Sequence, residues 1–271
     1  MKHILKKTIV VFLSIGCIFI MQSCEENLTT SDPNGLAAST TSTTLNSSSS
    51  TDQKVIVTDC NLQGWAKQIA GGALGDVAFV TEPSKPSNGN GSLEFYVPDM
   101  QRIRLYYNGF LGRYLNEISE ISISTYIQER TVDRNTIYVV LQLDVNKDGI
   151  VDFPIVFDPY YQTTPWVKNK DLDQGPSVLG KWQTWDLYNG LWFQGPTLDP
   201  EHGQPLYSLK DWAKIYPAAV FEVNGGGKGA LRITAGGEEA YFGINFIGFA
   251  DKLNLKIGKQ EISFDFGKCQ L

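Results

Sequence analysis

Among its 271 residues the chain has four cysteines, two histidines and three methionines. These scarcities exclude much chemistry. One histidine is His3, inside the first charged stretch, so a Ser-His-Asp or Cys-His mechanism has to run through His202 in "LDPEHGQP", and no G-x-S-x-G precedes it. No H-E-x-x-H or C-x-x-C is present. The glycine cluster "GGGKG" misses the phosphate-loop spacing, because Glu222 stands where the first glycine belongs; it reads as a turn. The closely spaced E-x-D-x-E strand signature of sandwich glycoside hydrolases is also missing, although two distant carboxylates can still converge. Charge is sparse as well, at 19% Asp, Glu, Lys and Arg. Removing the three lysines of residues 1–23 from the 23 basic residues leaves 20 against 29 acidic ones, a formal charge of −9. With no Lys/Arg cluster to offset that balance, nucleic acid is not an expected partner.

What the chain does have begins with an export signal. Lys2, Lys6 and Lys7 form a positive start, and Thr8 to Met21 is an apolar run too short to span a bilayer comfortably. It ends in "MQSC", which resembles the bacterial lipoprotein signal: a small residue, Ser23, precedes a cysteine that receives the lipid, so the resemblance implies lipidation at Cys24. Cys17 in "SIGC" is a rival with a shorter apolar run. Glu25 and Glu26 look like the acidic export tag of surface lipoproteins in some Gram-negative bacteria. Residues 24–53, dominated by Ser, Thr and Asn, have almost nothing to bury and read as a flexible tether. The expected organisation is a signal over 1–23, the tether over 24–53 and a domain over 54–271, exported and held at the outer membrane or cell surface by lipid.

Within that domain the dominant hydrophobic period is two. "EISISTYIQ" sets Ile121, Ile123 and Ile127 against Ser122, Ser124 and Tyr126, and "TIYVVLQLD" puts Ile137, Val139, Leu141 and Leu143 on one face. Further strands are expected over 77–81, 92–97, 102–107, 153–157, 181–187, 218–223, 229–234, 240–249, 252–257 and 260–266. Many short strands with glycine-rich turns predict an all-β fold of two packed antiparallel sheets. One short crossover helix is expected in "LKDWAKIY", capped by Ser208, with Asp211 reaching back and Pro217 ending it. Outside the leader two cysteines remain, Cys60 and Cys269. In an oxidising compartment they can bond, closing nearly the whole domain as one loop for about 4 to 5 kcal/mol on the chain-entropy model; free thiols are the alternative.

Two stretches suggest binding. "DVNKDGIVD" places Asp144, Asn146 and Asp148 at positions 1, 3 and 5 of a D-x-N-x-D-G run, Gly149 at the sharp turn, the Ile150 carbonyl at 7 and Asp152 at 9. It resembles the nine-residue calcium loops of extracellular β-hairpins. It departs from the EF-hand at position 12, where Ile155 replaces the bidentate Glu, so weak affinity on the order of 10⁻⁴ M is expected for Ca²⁺. A solvated acidic turn is the alternative. The second stretch concentrates Tyr160, Tyr161, Trp166, Trp182, Trp185 and Trp192 within 160–193. Trp182 and Trp185 face opposite ways on a regular strand, so one is expected outside the core, where an exposed ring offers a flat platform to the apolar face of a sugar.

A third constellation, "RIRLYY", puts Arg102, Arg104 and Tyr106 on one strand face, as a sandwich polysaccharide lyase would arrange a cation and a tyrosine base. "GNGSLEF", "GKWQTWDLYNGLWF" and the closing "FADKLNLKIGKQEISFDF" together resemble a jelly-roll, carbohydrate-binding-module-like domain of secreted bacterial proteins over most of 60–267. That resemblance implies fold and location, and no catalytic residue. The expected function is a surface-anchored, non-catalytic glycan-binding or adhesion module with a structural Ca²⁺. A polysaccharide lyase or glycoside hydrolase and a structural envelope lipoprotein are the alternatives.

Overall fold

Fifteen strands and one α-helix make up the fold in a computed structural model, which describes residues 52–70, 75–81, 83, 91–98, 101–195, 200–223, 229–237 and 245–269. Cys17, Cys24 and the tether up to residue 51 lie outside the described residues, as does most of each glycine-rich turn. The strands form two sheets. The seven-stranded sheet contains β1 (Asp52–Thr58), β3 (Asp76–Val80), β4 (Ser92–Val97), β6 (Ile118–Glu129), β9 (Trp182–Asp186), β14 (Phe246–Ile257) and β15 (Gln260–Gly267). The eight-stranded sheet runs in the order β11 (Tyr207–Ser208), β10 (Leu191–Gln194), β8 (Phe153–Phe157), β7 (Ile137–Asp144), β13 (Leu231–Gly236), β5 (Arg102–Tyr107) and β2 (Trp65–Ala70), with β12 (Val220–Phe221) pairing the end of β7. The all-β sandwich expected from the two-residue period is the observed architecture.

The alternation builds the core directly. Ile121, Ile123 and Ile127 on β6 and Ile137, Val139, Leu141 and Leu143 on β7 are all buried between the sheets. Facing them are Phe95, Phe157, Phe221, Phe246, Phe264 and Phe266. The two strands expected over 240–249 and 252–257 are one long strand, β14, which bulges between Asp251 and Asn254. That bulge lets β14 pair β4 with its first half and β15 with its second. The expected helix is α1, Leu209–Ile215, whose first turn is held by Ser208: its hydroxyl accepts from Asp211 N at 3.1 Å and donates to the Asp211 carboxylate at 2.7 Å.

Four strands fall outside the expected ones: β1, β2 and, at the other end of the eight-stranded sheet, β10 and β11. β2 carries only a half-alternating "WAKQIA" on a sheet edge. β1 begins at Asp52, inside the expected tether, and its side chains are mostly exposed. It pairs β15 in parallel, the exception to the antiparallel rule, with Thr58 opposite Gly267. Parallel pairing brings both strands to an end side by side. Cys60 and Cys269 each stand two residues beyond that last pair, and they are disulfide-bonded with Cα atoms 5.8 Å apart. Closing a loop across a sequence separation of 209 stabilises by about 5 kcal/mol on the chain-entropy model.

Candidate functional site

Alternation sorts the aromatic stretch into two groups. Trp185 is 1% exposed in the inter-sheet core, and its Nε1 donates to Thr125 Oγ1 at 2.8 Å. Trp192 is fully buried against Phe157, its Nε1 donating to the Leu187 carbonyl at 2.7 Å. Tyr161 is buried too, between Trp166 and Phe193. These three fill the structure. The other three are half-buried. Trp182 lies on the outer face of the seven-stranded sheet against Tyr126, at 5.7 Å between ring centroids. Tyr160 and Trp166 lie together, 6.4 Å apart, beyond the end of β8.

Tyr160 and Trp166 have the richest surroundings. A single-turn 3-10 helix, Pro159–Tyr161, follows β8 and is capped by Asp158, whose Oδ1 accepts from Tyr160 N at 2.9 Å and from Thr136 Oγ1 at 2.6 Å. Arg134 stands over the Tyr160 ring at 5.7 Å, donates to the Tyr161 hydroxyl at 2.9 Å and pairs with Glu201 at 3.1 Å. The Tyr160 hydroxyl faces Glu201 at 3.4 Å. Burial, then the Glu201 carboxylate, pushes the Tyr160 phenol up, so it stays protonated and able to donate. The result is a pair of rings flanked by a cation, an anion and a phenol, the combination that holds a sugar ring by its apolar face and its hydroxyls. Arg134, Glu201 and Asp158 gave no signal in the sequence, because they belong to three separate connections.

The β7–β8 hairpin tip shows how its acids are accommodated. Asp144, 1% exposed, accepts from Asn146 N at 3.1 Å, Lys147 N at 2.5 Å and Gly149 N at 2.8 Å. Asn146 accepts from Asp148 N and Asp148 from Ile150 N, each at 2.9 Å, while Asp152 takes Val145 N at 2.7 Å. Gly149, at φ 81°, and Lys147, at φ 62°, adopt the left-handed turn this wrapping needs. Lys147 bends away over the Tyr114 ring. Backbone N–H groups therefore supply part of the neutralisation that three neighbouring carboxylates require. The oxygen-only donor set suits a hard cation, which would use the lone pairs those N–H groups leave. Among the described residues, the one trio of Asp, Glu, His or Cys side chains with ligand atoms all within 4.8 Å is Asp59, Cys60 and Cys269, where the two sulfurs are bonded to each other.

Arg102, Arg104 and Tyr106 do share the outer face of β5, and the eight-stranded sheet adds Arg232 and Thr234 from β13 and Tyr138 from β7. Tyr138 donates to the Gly236 carbonyl at 2.8 Å, and burial pushes its phenol up. A phenol that burial keeps protonated is not available as a base, which disfavours Tyr138 in that role; the tyrosine expected in it is Tyr106, half-buried on β5. On the opposite sheet a shallow groove of about 230 Å³ lies among Glu120, Ser122, Asp186, Asn254, Lys256 and Glu261. Its charges are a surface network, Lys256 lying 3.6 Å from Glu120 and 3.9 Å from Glu261.

No family model matches the chain, and no curated protein matches it. Among solved structures it is similar to a β-1,2-glucanase from Parabacteroides distasonis, with a TM-score of 0.35 and 11% identity over 71% of this chain and 23% of that one. It is also similar to SGBP-B from a complex xyloglucan utilization locus in Bacteroides uniformis, with a TM-score of 0.30 and 7% identity over 70% of this chain and 47% of that one. The chain thus spans less than half the length of either protein. At these TM-scores neither likeness bears on fold or function here.

Proposed function

We propose that the sandwich is a non-catalytic glycan-binding or adhesion module, displayed at the cell surface by a lipid on Cys24. The observation that carries this reading is the half-buried Tyr160–Trp166 pair beside Arg134 and Glu201, two rings flanked by a cation and an anion. Stacking supplies affinity for the apolar face of a pyranose, and the charged pair orients its hydroxyls. The fit to binding rather than hydrolysis rests on the chemistry nearby: Glu201 is engaged by Arg134.

Export is supported by the Cys60–Cys269 bond, which persists in oxidising compartments. Labelled palmitate incorporated by the wild type and lost in Cys24→Ala tests the anchor. A structural Ca²⁺ at Asp144, Asn146, Asp148, the Ile150 carbonyl and Asp152 belongs to the same proposal, as a clamp on the β7–β8 hairpin.

The binding test is migration of the protein through gels carrying plant, algal or microbial polysaccharides. Retardation by at least one of them, abolished in Trp166→Ala and retained in Trp182→Ala, is expected. Uniform migration through all of them overturns the glycan reading, and release of products with unsaturated-uronate absorbance replaces it with a lyase.

A further inference from the structure

The groove on the outer face of the seven-stranded sheet belongs to neither the aromatic platform nor the hairpin tip. Register lays it out in two rows. Asp186 on β9 stands opposite Ser122 on β6, Ser122 opposite Asn254 on β14, and Asn254 opposite Ser263 on β15. One row on, Glu120 stands opposite Lys256, and Lys256 opposite Glu261. Four strands thus supply side chains to one short stretch of surface, and Tyr188 and Asn189, in the turn after β9, close one side of it. The space is about 230 Å³, below the roughly 300–1,000 Å³ of sites for drug-sized ligands. It suits a short saccharide segment.

Its polar groups are held in place by one another. Asn254 Nδ2 donates to Ser122 Oγ at 3.3 Å, and Asn254 Oδ1 accepts from Ser263 Oγ at 2.6 Å. Asp186 is fixed twice. Asn189 N and Nδ2 donate to its two carboxylate oxygens at 3.1 and 2.7 Å, while the Gln174 side chain takes up its backbone N–H and carbonyl at 2.7 and 2.8 Å. Groups ordered in this way lower the cost of ordering that a ligand meets on binding. Lys256, by contrast, lies 3.6 Å from Glu120 and 3.9 Å from Glu261, beyond the roughly 2.7–2.9 Å of a direct charge-assisted hydrogen bond. Exposed ion pairs this loose contribute little to stability, and a ligand hydroxyl can enter between their members.

The lining also selects by charge. Glu120, Asp186 and Glu261 set three carboxylates around one ammonium, Lys256. An ionised carboxylate accepts hydrogen bonds and donates none, so the groove is rich in acceptors and calls for a ligand rich in O–H donors. The surplus negative charge opposes a uronate or a sulfate ester. Below the rows, Ile121 and Leu255, each 2% exposed, fix the floor in the core, and the Tyr188 ring, which also packs against the core, supplies apolar wall.

We propose that this groove is a second saccharide site, one that takes neutral glycans and rejects acidic ones. Asp186, Glu120 and Glu261 accept from sugar hydroxyls, the Asn254 and Asn189 amides and Lys256 donate to them, and the Tyr188 wall meets apolar C–H surface. The proposal goes beyond the Tyr160–Trp166 reading, because the groove stands on the other sheet and shares no residue with that platform.

The deciding experiment follows the amide NMR spectrum of the isotope-labelled full chain, which reads groove and platform separately, during titration with cellotriose, mannotriose, xylotriose, galactotriose and trigalacturonate. At least one of the four neutral sugars should shift the Ser122, Asn189 and Asn254 amides, and should do so with unchanged affinity in Trp166→Ala. At low salt trigalacturonate should need at least tenfold more ligand for the same shifts, and raising NaCl should narrow that gap. Asn254→Ala should weaken the neutral sugar at least fivefold at the groove while the Tyr160 and Trp166 amides respond as before. If Asn254→Ala does not fold, Asn189→Ala, in an exposed turn, reads the same quantity. Shifts at the platform alone overturn the groove and leave the first site standing. Shifts at the groove alone overturn the platform and keep the groove. Trigalacturonate that binds the groove as tightly as the neutral sugars overturns the selectivity proposed for it. No shift at either place with any of the five ligands overturns both sites.

Discussion

Trp182 and Trp185 stand three residues apart on one strand and have opposite fates. Trp185 is buried with its indole N–H bonded to Thr125, whereas Trp182 rests half-buried against Tyr126 with its Nε1 unpartnered. The same division runs through the rest of the stretch, with Trp192 and Tyr161 packed and hydrogen-bonded and Tyr160 and Trp166 partly open. A ring whose polar atom is satisfied inside the core is committed to the fold. A ring with an open face remains available. For the two tryptophans the comparison turns on partners as much as on burial; for Tyr160, whose hydroxyl meets Glu201, it turns on burial.

The largest effect should come from the committed group. Trp192→Ala removes a fully buried ring and should destabilise by about 3–5 kcal/mol, a fall in Tm of roughly 6–20 °C for a domain of this size. Thermal unfolding by circular dichroism checks it. A loss below about 1 kcal/mol would mean that Trp192 is not the core ring its hydrogen bond makes it.

A second contrast sharpens the point with a carboxylate. Asp251 is fully buried at the β14 bulge, its Oδ1 accepting from Phe266 N at 3.0 Å and its Oδ2 unpartnered. Burial, with a smaller push from Asp265 and opposition from two backbone N–H groups, lifts its carboxyl to about 6. Because the folded value exceeds the unfolded one, the proton stabilises the fold fully below about pH 4, and that stabilisation is lost as pH rises through about 6. Asp251→Asn cannot ionise. Its stability relative to the wild type should therefore improve by about 2 kcal/mol between pH 4 and pH 7, as read by urea denaturation at each pH. A constant difference across that window would show that the group does not titrate there.

The hairpin acids sit at the other end of that contrast, since backbone N–H groups already serve them. Binding Ca²⁺ at ten times a dissociation constant near 10⁻⁴ M should add only about 1.4 kcal/mol, a rise of roughly 3–6 °C in Tm between chelator and 1 mM calcium. Asp148→Asn and Asp152→Asn should each remove most of that rise. Identical melting with and without calcium would leave the N–H groups as sufficient by themselves.

The fold was legible wherever alternation was strong, as on β6 and β7, and where a cap stood out, as at Ser208. It was illegible where pairing alone makes a strand. β1 is mostly exposed and owes its conformation to parallel register with β15, a partner more than 200 residues away. The site followed the same rule. Tyr160 and Trp166 are visible as residue types, but Asp186, Ser122 and Asn254 meet only because β9, β6 and β14 are neighbours. No spacing in the chain records that adjacency. β7 also departs from a half-buried strand: Val140, Gln142 and Asp144 on its outer side are buried, on a face that long arginine and tyrosine side chains share and can cover.

The smallest change in stability should accompany the largest change in binding. Trp166 is half-buried and packs against Tyr160 and Tyr161, on an outer surface away from the inter-sheet core. Truncating it leaves no closed cavity, so Trp166→Ala should lower stability by less than about 1 kcal/mol. Removing one stacking platform should nevertheless weaken saccharide binding by about tenfold, equivalent to about 1.4 kcal/mol. Measured side by side on one sample, by thermal melt and by titration, the pair of numbers separates the available ring from the committed ones. A variant that lost stability on the scale of Trp192→Ala and kept its affinity would move Trp166 into the structural group and erase the distinction on which the site rests.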